Sequence, residues 1–580
     1  MTGEKASTKK KRFKLSDIKK PVIISGITSI IAIAGIIVGM NIIISTESGK
    51  ERILFCCFDD VPNSLDPLSE LYFRDLIVIA QVAEGLFDIN QSNKNAPIIN
   101  NLATEGVWSE DYLNFTCTLK SGIRFHDGTP FNATAVKWNF DRLQWFLDNK
   151  PWWETWGYLY AFVNNEGQWH INRTEVLDTY VIRFVLNKRY IPFKALLTIP
   201  QLYILSPTST PENDYINISA QKIVGTGPFK QELCHTYWGD FDTGVCINTT
   251  LTVNPDYWGK RPKFDKIFYS WSLDEERLND MLSHKLSFVQ EPNLSNVEIY
   301  KNTPDITVVN RTQSGYSSIP MNNELINKTM RKAISYAFNY TYYFDVFHEG
   351  AEHERIKSVL PKWMLYSNWK DFEVPFYNIT VARQTLLDVN WNGTFGLTAD
   401  EDTSPGNPWE MIANSSNPLA TYKYSYPLGS WVRGNFSLEI ARNLKQIGVK
   451  VEDDPLTWPD WWTKMFSGEL EIFLVGWNAI FNDPVEIINP LFSTKADGLH
   501  NFYHFNDTEI QQWMDAAVEE SNSTARGELY YQIQERLIEQ LYPVIWLSAS
   551  TVYFAHASNV RGIPQEGHAF RILFKEGFFV

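Results

Sequence analysis

The chain has 580 residues, of which 44% are hydrophobic and 21% are charged, and its formal net charge is −15. This composition excludes a disordered or fibrous protein and supports a large core divided over two or more domains. The acidic balance argues against nucleic acid as a partner, because phosphate recognition needs a clustered basic face, which this chain lacks beyond its N-terminal lysines.

The N-terminus carries a membrane signal. A basic tail, residues 1–21, precedes an uncharged run from Val22 to Ile44. At about 1.5 Å per residue this run is long enough to cross the apolar layer of a bilayer, which is about 30 Å thick. We therefore predict a cytoplasmic tail, a transmembrane anchor over residues 22–45, and a cell-membrane protein whose bulk is extracellular. A cleaved signal peptide is the alternative, but its apolar region is shorter and ends at small residues, which the sequence after Ile44 does not offer.

Potential glycosylation sites agree with an exterior location. Asn-x-Ser/Thr acceptors occur only after the apolar run, at Asn90, Asn114, Asn132, Asn172, Asn217, Asn248, Asn293, Asn310, Asn327, Asn339, Asn378, Asn392, Asn414, Asn435, Asn506 and Asn522. The motif is weak, and a chain rich in Asn and Thr also produces it by chance. Its density here favours a glycoprotein that faces the exterior.

The cysteines predict one disulfide outside the reducing cytosol. Cys234 and Cys246 flank a short loop with Gly and Asp residues and are close enough in sequence to pair. The pairing of Cys56, Cys57 and Cys117 stays open. No Cys-x-x-Cys pair is present, so the cysteines do not predict a zinc site.

The body alternates strand-like and helical patterns, so the predicted fold class is α/β. The predicted strands cover residues 52–58, 115–120, 180–186, 249–253 and 472–475. The predicted helices cover residues 134–146, 327–347, 380–389, 437–447, 507–521 and 524–541.

A series of short motifs resembles a known family. The most specific is residues 119–133, which read LKSGIRFHDGTPFNA, a strand, a Gly turn and a capped helix. Shorter motifs precede it at residues 63–67, 84–87, 101–103 and 108–109, and others follow in compatible order at residues 224–229, 254–258, 330–337 and 475–477. The chain resembles the family-5 extracellular solute-binding proteins, which include the peptide-, oligopeptide- and nickel-binding components of ABC importers.

This resemblance implies a two-lobed fold of the periplasmic-binding-protein type, with an extra subdomain inserted in the first lobe. The implied boundaries are lobe I over 51–309 with the insertion at about 93–190, lobe II over 310–493, and a return to lobe I over 494–580. Ligand that contacts both lobes favours the closed state, which the importer then recognises.

The resemblance also suggests which residues contact the ligand. In peptide-binding relatives an Asp after the Gly-Trp pair binds the amino terminus of the peptide, but Ile480 stands at that position here, and Asp483 is the nearest carboxylate. The candidate ligand contacts are Tyr316, Trp431, Trp461, Trp477 and Asp483. We predict no catalytic residue, no metal and no cofactor.

These observations predict a membrane-anchored receptor that captures peptides and delivers them to ABC permease subunits. An oligosaccharide is the alternative ligand, because the chain has 21 Trp and sugar rings stack on indole faces. A cell-surface hydrolase is a further alternative. It is disfavoured because no nucleophile, base and orienting partner occur in a recognisable spacing.

Overall fold

The computed structural model places residues 52–580 in one compact unit. The described residues are 51–58, 64–69, 73–90, 93, 97–150, 162–163, 168–217, 220–237, 245–272, 274–347, 355–368, 372–394, 396–479, 481–496, 501–563 and 574–580. The predicted tail, 1–21, and anchor, 22–45, lie outside these ranges. Within them, no helix combines the length and the apolar character that crossing a bilayer requires.

Short strands occur along the whole unit. In chain order they are β1 Ile53–Phe58, β2 Phe87–Ile89, β3 Ile98–Asn100, β4 Ala103–Trp108, β5 Asn114–Leu119, β6 Ile171–Asp178, β7 Val181–Leu186, β8 Phe229–Gln231, β9 His235–Tyr237, β10 Val245–Val253, β11 Lys266–Trp271, β12 Phe288–Gln290, β13 Ile306–Pro320, β14 Ala420–Pro427, β15 Val449–Leu456, β16 Val475–Asn478, β17 Val544–Ala557, β18 Val560–Arg561 and β19 Phe578–Phe579. The longest, β13 and β17, pair with each other in antiparallel fashion.

The helices are mostly short and amphipathic. In chain order they are α1 Phe73–Val82, α2 Ala133–Asn149, α3 Phe193–Leu196, α4 Asp274–Leu282, α5 Leu294–Lys301, α6 Lys328–Ala337, α7 Tyr340–Phe347, α8 Ile379–Leu387, α9 Pro408–Ala413, α10 Trp431–Lys445, α11 Trp458–Phe466, α12 Val485–Phe492, α13 Thr508–Glu519 and α14 Ser523–Glu535. A π-helical segment, Arg536–Leu541, continues α14. The mixture of strands and helices confirms the predicted α/β class.

The strands form one large sheet and several small ones. The large sheet has the order β16-β13-β17-β12-β1-β11-β10-β8, and β9 pairs with β10. Within it, β1 runs parallel to β11 and β12, whereas the other pairs are antiparallel. A separate antiparallel sheet has the order β4-β5-β7-β6. Its strands fall within residues 93–190, and the inserted subdomain expected there remains a prediction.

Buried side chains divide into distinct cores, which we name by their location. Core A surrounds the four-stranded sheet and contains Phe115, Phe140 and Phe184. Core B lies on the large sheet near β1 and contains Leu54, Ile267 and Phe554. Cores C and D cover the other end of that sheet; Tyr316, Trp461 and Trp546 mark core C, and Ile319, Ile334 and Ile545 mark core D.

Cores C and D lie on opposite faces of β17. Val544 and Trp546 point into core C, whereas Ile545 and Leu547 point into core D. This alternation is the period of two that a strand buried on both faces requires. Further along the same strand, Phe554 belongs to core B. The strand β17 therefore contributes side chains to core B and to cores C and D.

Two predicted elements differ from the structure. The helix predicted over 327–347 is interrupted at Asn339, whose side-chain oxygen accepts from the Tyr342 N–H at 3.1 Å and whose N–H donates to Asn443 at 2.6 Å. Asn339 thus begins a second helix. The strand predicted over 472–475 begins only at Val475, because Ile472 makes isolated bridges to Met321 and Tyr424 instead.

Candidate functional site

The most distinctive place in the fold is the middle of the paired strands β13 and β17, near Tyr316, where the chain passes from core B to cores C and D. We call this place the crossing. The register of the two strands shifts between Thr312 and Tyr316 and again between Tyr316 and Ser318. Such irregularities bend a strand pair and increase its local twist. Before the irregularity β13 pairs with Val552 and Phe554, which belong to core B, and after it Tyr316 lies in core C.

Gly315 has no room for a side chain at this crossing. A β-carbon built there would lie 1.7 Å from the Trp477 carbonyl oxygen and 2.6 Å from the Cα of Asn478. Both are backbone atoms of β16, so no side-chain rotation relieves the clash. Glycine therefore permits β16 to pair closely with β13 at the crossing.

β16 ends the large sheet in the described part of the chain. Tyr316 of β13 pairs with Trp477 of β16, and Gly315 pairs with Asn478. A strand at the end of a sheet presents a row of backbone donors and acceptors along its outer side. This geometry suits the addition of an extended peptide segment.

Tyr316 lies inside core C. Its side chain is 2% exposed, and its ring meets Trp546 edge to face with centroids 5.5 Å apart. Burial raises the pKa of its hydroxyl well above the ordinary value. Its contact with ligand remains a prediction, and the geometry of the side chain favours packing.

Trp461 also belongs to core C. It is 1% exposed, and its indole N–H donates to the Ser425 carbonyl at 3.3 Å. Its neighbours Trp458, Trp462 and Phe466 stack in sequence along α11, with centroids 6.3 and 5.7 Å apart. The spacing of four residues brings these rings onto one helix face. Several ring faces of this tryptophan-rich helix are therefore covered by other rings.

Trp477 lies at the crossing, where it pairs with Tyr316. It is half-buried, its indole N–H donates to the Glu486 carbonyl at 3.0 Å, and its ring packs on Phe502. Trp431 is the first residue of α10, and its side chain lies outside the described part of the chain. Ile480 also lies outside it. The roles of Trp431 and Trp477 in ligand binding remain predictions.

Asp483 is committed to a buried ion pair. Its two carboxylate oxygens accept from the Arg526 guanidinium at 2.7 and 2.8 Å, and both side chains are 4% exposed. Burial opposes the charge of Arg526, but the carboxylate outweighs it and raises the pKa of Arg526. Asp483 also accepts from the Val485 N–H at 3.1 Å. Ligand contact stays untested, and the geometry favours a structural role.

Two further buried carboxylates were missed from the sequence. Asp66 pairs with Arg142 at 2.5 Å and accepts the Ile216 N–H at 2.8 Å. Glu84 accepts from Tyr257, Trp258 and Thr226 at 2.7 to 2.8 Å. Burial raises the pKa of Glu84 despite these three donors. Their positions inside the recognised motifs were the available signal.

The turn predicted within residues 119–133 is confirmed. The His126 N–H donates to the Gly225 carbonyl at 2.9 Å, and its Nε2 lies 2.9 Å from the Gly227 carbonyl oxygen. Asp127 accepts from Ser206 at 2.5 Å and from Ser209 at 2.7 Å. The loop therefore braces the neighbouring glycine motif.

The cysteines that the structure describes are one disulfide-bonded residue and three free thiols. Cys234 is disulfide-bonded, as the sequence predicts, while the side chain of Cys246 lies outside the described part. Cys56, Cys57 and Cys117 are free, buried thiols. Among the described residues, no cluster of His, Cys, Asp and Glu side chains is arranged to hold a metal ion.

Comparisons with known proteins agree with this architecture. The model for "Bacterial extracellular solute-binding proteins, family 5 Middle" matches residues 97–498. Heme-binding protein A of Haemophilus influenzae is 24% identical over 79% of this chain and 80% of its own length. Glutathione-binding protein GsiB of Escherichia coli is 22% identical over 87% of this chain and 91% of its own.

Solved structures share the fold. The ABC transporter-associated periplasmic binding protein DppA of Helicobacter pylori, in complex with the peptide STSA, has a TM-score of 0.71 at 23% identity and covers 91% of this chain and 98% of its own. NikA of Brucella suis, in complex with Fe(III)-EDTA, has a TM-score of 0.71 at 19% identity, with coverage of 91% and 100%. The family model spans more than half of the chain, and the chain therefore belongs to the family-5 bacterial extracellular solute-binding proteins.

Proposed function

We propose that this protein is a membrane-anchored receptor that captures peptides between two lobes and delivers them to an ABC importer. Cores A and B form the first lobe, and cores C and D form the second. The ligand binds at the crossing and leaves unchanged, so the protein acts without breaking a bond.

The end strand β16 is the observation that carries this proposal. It lies beside the crossing, with Gly476 exposed and Trp477 half-buried. An extended peptide that pairs with its outer side binds mainly through main-chain hydrogen bonds, which tolerate many side chains. Peptide complexes among the solved relatives support this assignment, including one with STSA and one with Met-Leu.

Peptides suit the described aromatic residues better than oligosaccharides do. A sugar ring needs an uncovered indole face. Trp461 is buried in core C, and Trp462 stacks with Trp458 and with Phe466. Of the candidate tryptophans whose side chains the structure describes, Trp477, in β16, is the half-buried one.

The basic tail and the apolar run support an anchor in the cell membrane, with residues from about 51 onward outside the cell. The Asn-x-Ser/Thr acceptors support glycosylation of that outer part. Of the acceptor asparagines whose side chains the structure describes, all are exposed or half-buried, so they are open to modification.

We propose that the chain returns to the first lobe within β17 and not at residue 494. Phe502, Ile510 and Tyr530 pack in core C together with Tyr316, whereas Phe554 packs in core B. Residues that share a core move together when lobes open.

Thermal unfolding of the full-length protein tests the function. Peptides of defined length should raise the unfolding midpoint, and the rise should grow with the logarithm of the peptide concentration. At one hundred times Kd the free energy of unfolding should increase by about 2.7 kcal/mol. Oligosaccharides of similar size should leave it unchanged. Stabilisation by sugars alone would contradict the assignment, and peptide fragments that accumulate with time would indicate a hydrolase.

N-methylated peptides test the main-chain pairing. Two peptides with the same side chains, methylated at alternate amides, present different donors to β16. If β16 pairs with the ligand, one of them should bind at least about tenfold more weakly than the other, because one or more hydrogen bonds are lost. Equal weakening by both would argue against strand pairing.

A further inference from the structure

We propose that the turn over residues 481–485 is a latch that holds the two lobes together in the absence of ligand. The turn follows β16 in the second lobe, and its side chains are buried in the core of the first. This inference rests on the proposed division into lobes. It adds a contact that closes them independently of ligand.

The latch consists of two apolar side chains that leave their own lobe. Phe481 and Val485 are 0% and 5% exposed and belong to core A. Their neighbours Ala479, Ile487 and Ile488 belong to core C. The short segment after β16 therefore contributes to cores of both lobes.

The ion pair of Asp483 and Arg526 fixes the shape of the turn. Asp483 lies between the two latch residues, its N–H donates to the Phe481 carbonyl at 3.1 Å, and its carboxylate accepts from Val485. Arg526, on α14, also donates to the Ala517 carbonyl at 2.7 Å. The pair thus joins the turn to α13 and α14, which pack in core C.

The proposed lobes also meet at the start of α3. The Ile191 N–H donates to the Val518 carbonyl of α13 at 2.9 Å, a direct backbone bond between the lobes. The adjacent Tyr190 is 4% exposed and stacks on His170, with centroids 3.8 Å apart. Burial raises the pKa of the Tyr190 hydroxyl well above its ordinary value, and the negative charge of Asp483 adds to the rise.

A contact of this kind changes how the receptor works. Burial of Phe481 and Val485 stabilises the closed arrangement before any ligand arrives, so the open state is a minor population. Ligand must then enter through that minor state, so its association rate falls in proportion to the fraction of protein that is open. The latch thereby sets the rate of capture.

A distance measurement on the full-length protein tests the latch. Spin labels are placed at Glu212→Cys in the first lobe and Leu438→Cys in the second, both exposed positions. The native free thiols are buried, and labelling of the chain without the new cysteines verifies that they stay unreacted. Without ligand, the parent should show mainly one short distance, with a long-distance population of at most about 10%. In Phe481→Ala the long-distance population should become the majority.

Phe473→Ala is the matched control. Phe473 is also 0% exposed, but it lies wholly within core C, so its truncation loses similar packing without opening the lobes. If Phe481→Ala fails to fold by circular dichroism, Val485→Ala provides the milder test. The proposal is overturned if the latch variants keep the parent distance, or if the parent is already predominantly open. Peptide stabilisation of the parent is measured separately, so failure of the latch and failure of the proposed function are distinguishable.

Discussion

Two buried aspartate–arginine pairs do different work in this molecule. In the proposed division into lobes, the pair of Asp66 and Arg142 belongs to the first lobe, and the pair of Asp483 and Arg526 lies where the lobes meet. Each pair is bidentate and at most 4% exposed. They have the same chemistry, but the first pair joins loops of one lobe and the second shapes a turn that reaches the other lobe.

The partners of each arginine show this difference. Arg142 donates to the carbonyls of Pro211 and Asp214, which are loop groups near Asp66. Arg526 donates to Ala517 and to the hydroxyl of Tyr530, both on helices of core C. A buried ion pair therefore does not by itself mark a ligand site; its position decides whether it affects folding alone or also the relation between lobes.

Removal of one partner from either pair should produce the largest effect. Asp66→Ala and Asp483→Ala each leave a buried arginine unpaired, so the free energy of unfolding should fall by about 3–5 kcal/mol in denaturant titrations. Asp483→Ala should also lengthen the distance between the lobes without ligand, whereas Asp66→Ala should not. An Asp483→Ala protein of unchanged stability that binds no peptide would instead identify Asp483 as a ligand contact.

The double variant Asp483→Leu with Arg526→Met sharpens this test. It removes both charges and keeps apolar volume, so it should recover most of the stability that Asp483→Ala loses. The corresponding Asp66→Leu, Arg142→Met protein is the matched control. It should recover less, because the N–H groups of both Leu68 and Ile216 lose the carboxylate that they donate to, whereas at Asp483 the corresponding loss is that of the Val485 N–H.

Gly315→Ala compares the crossing with an ordinary turn. The new methyl group meets backbone atoms of β16, so the free energy of unfolding should fall by about 1–3 kcal/mol and peptide affinity should fall with it. Gly122→Ala is the control, because it has a φ of 78° but open space around it. It should cost about 1–2 kcal/mol and leave affinity unchanged. Equal peptide affinities of Gly315→Ala and Gly122→Ala would show that the crossing takes no part in peptide binding.

Two buried histidines should make stability depend on acid. Burial lowers the pKa of His170 to about 3 and that of His126 to about 4, below the ordinary value of 6.5. Their neutral forms are therefore favoured in the folded state, and the stability present above pH 6.5 is lost as the pH falls towards those values. Each should contribute about 1.4 kcal/mol per pH unit in that window.

His170→Phe and His126→Asn should each remove one such contribution from pH-dependent unfolding curves. Because His170 stacks on Tyr190 beside the latch, acid should also raise the open population in the parent and not in His170→Phe. Identical pH profiles for parent and variants would contradict the burial argument.

Helix caps give the smallest expected effects. Asn132 begins α2 in the first lobe and Asn378 begins α8 in the second, each accepting an N–H of its helix at 2.9 and 3.0 Å. Alanine at either position should lower the free energy of unfolding by about 1 kcal/mol in denaturant titrations. Both asparagines are also predicted glycan acceptors, so Thr134→Ala and Thr380→Ala serve as controls that remove the acceptor motif and keep the cap. A glycan effect would appear in all four variants.

Much of the fold follows from the sequence because its signals are local. The periodicity over 134–146 predicts α2, and the motif over 119–133 predicts the turn at His126. Asn339 interrupts a long helical pattern by capping, with support from Asn443, a residue distant in sequence. Local sequence patterns do not predict this contact between Asn339 and Asn443.

The site was less predictable because its partners are distant. Asp483 is a polar residue near a ligand-associated motif, but Arg526 is 43 residues away and nothing near Asp483 indicates the pairing. The same applies to Phe481, which joins core A across the lobe boundary. Position 315 must be glycine because the backbone of β16 passes close to it, and only the strand register in three dimensions reveals this approach.

Native mass spectrometry of the purified full-length protein tests the central claim most directly. A receptor that captures peptides should carry bound masses that are released on denaturation and sequenced as intact peptides. Addition of a defined peptide should replace them without generating fragments. Bound masses that prove to be oligosaccharides, or a bare protein that converts added peptide to shorter products, would contradict the account.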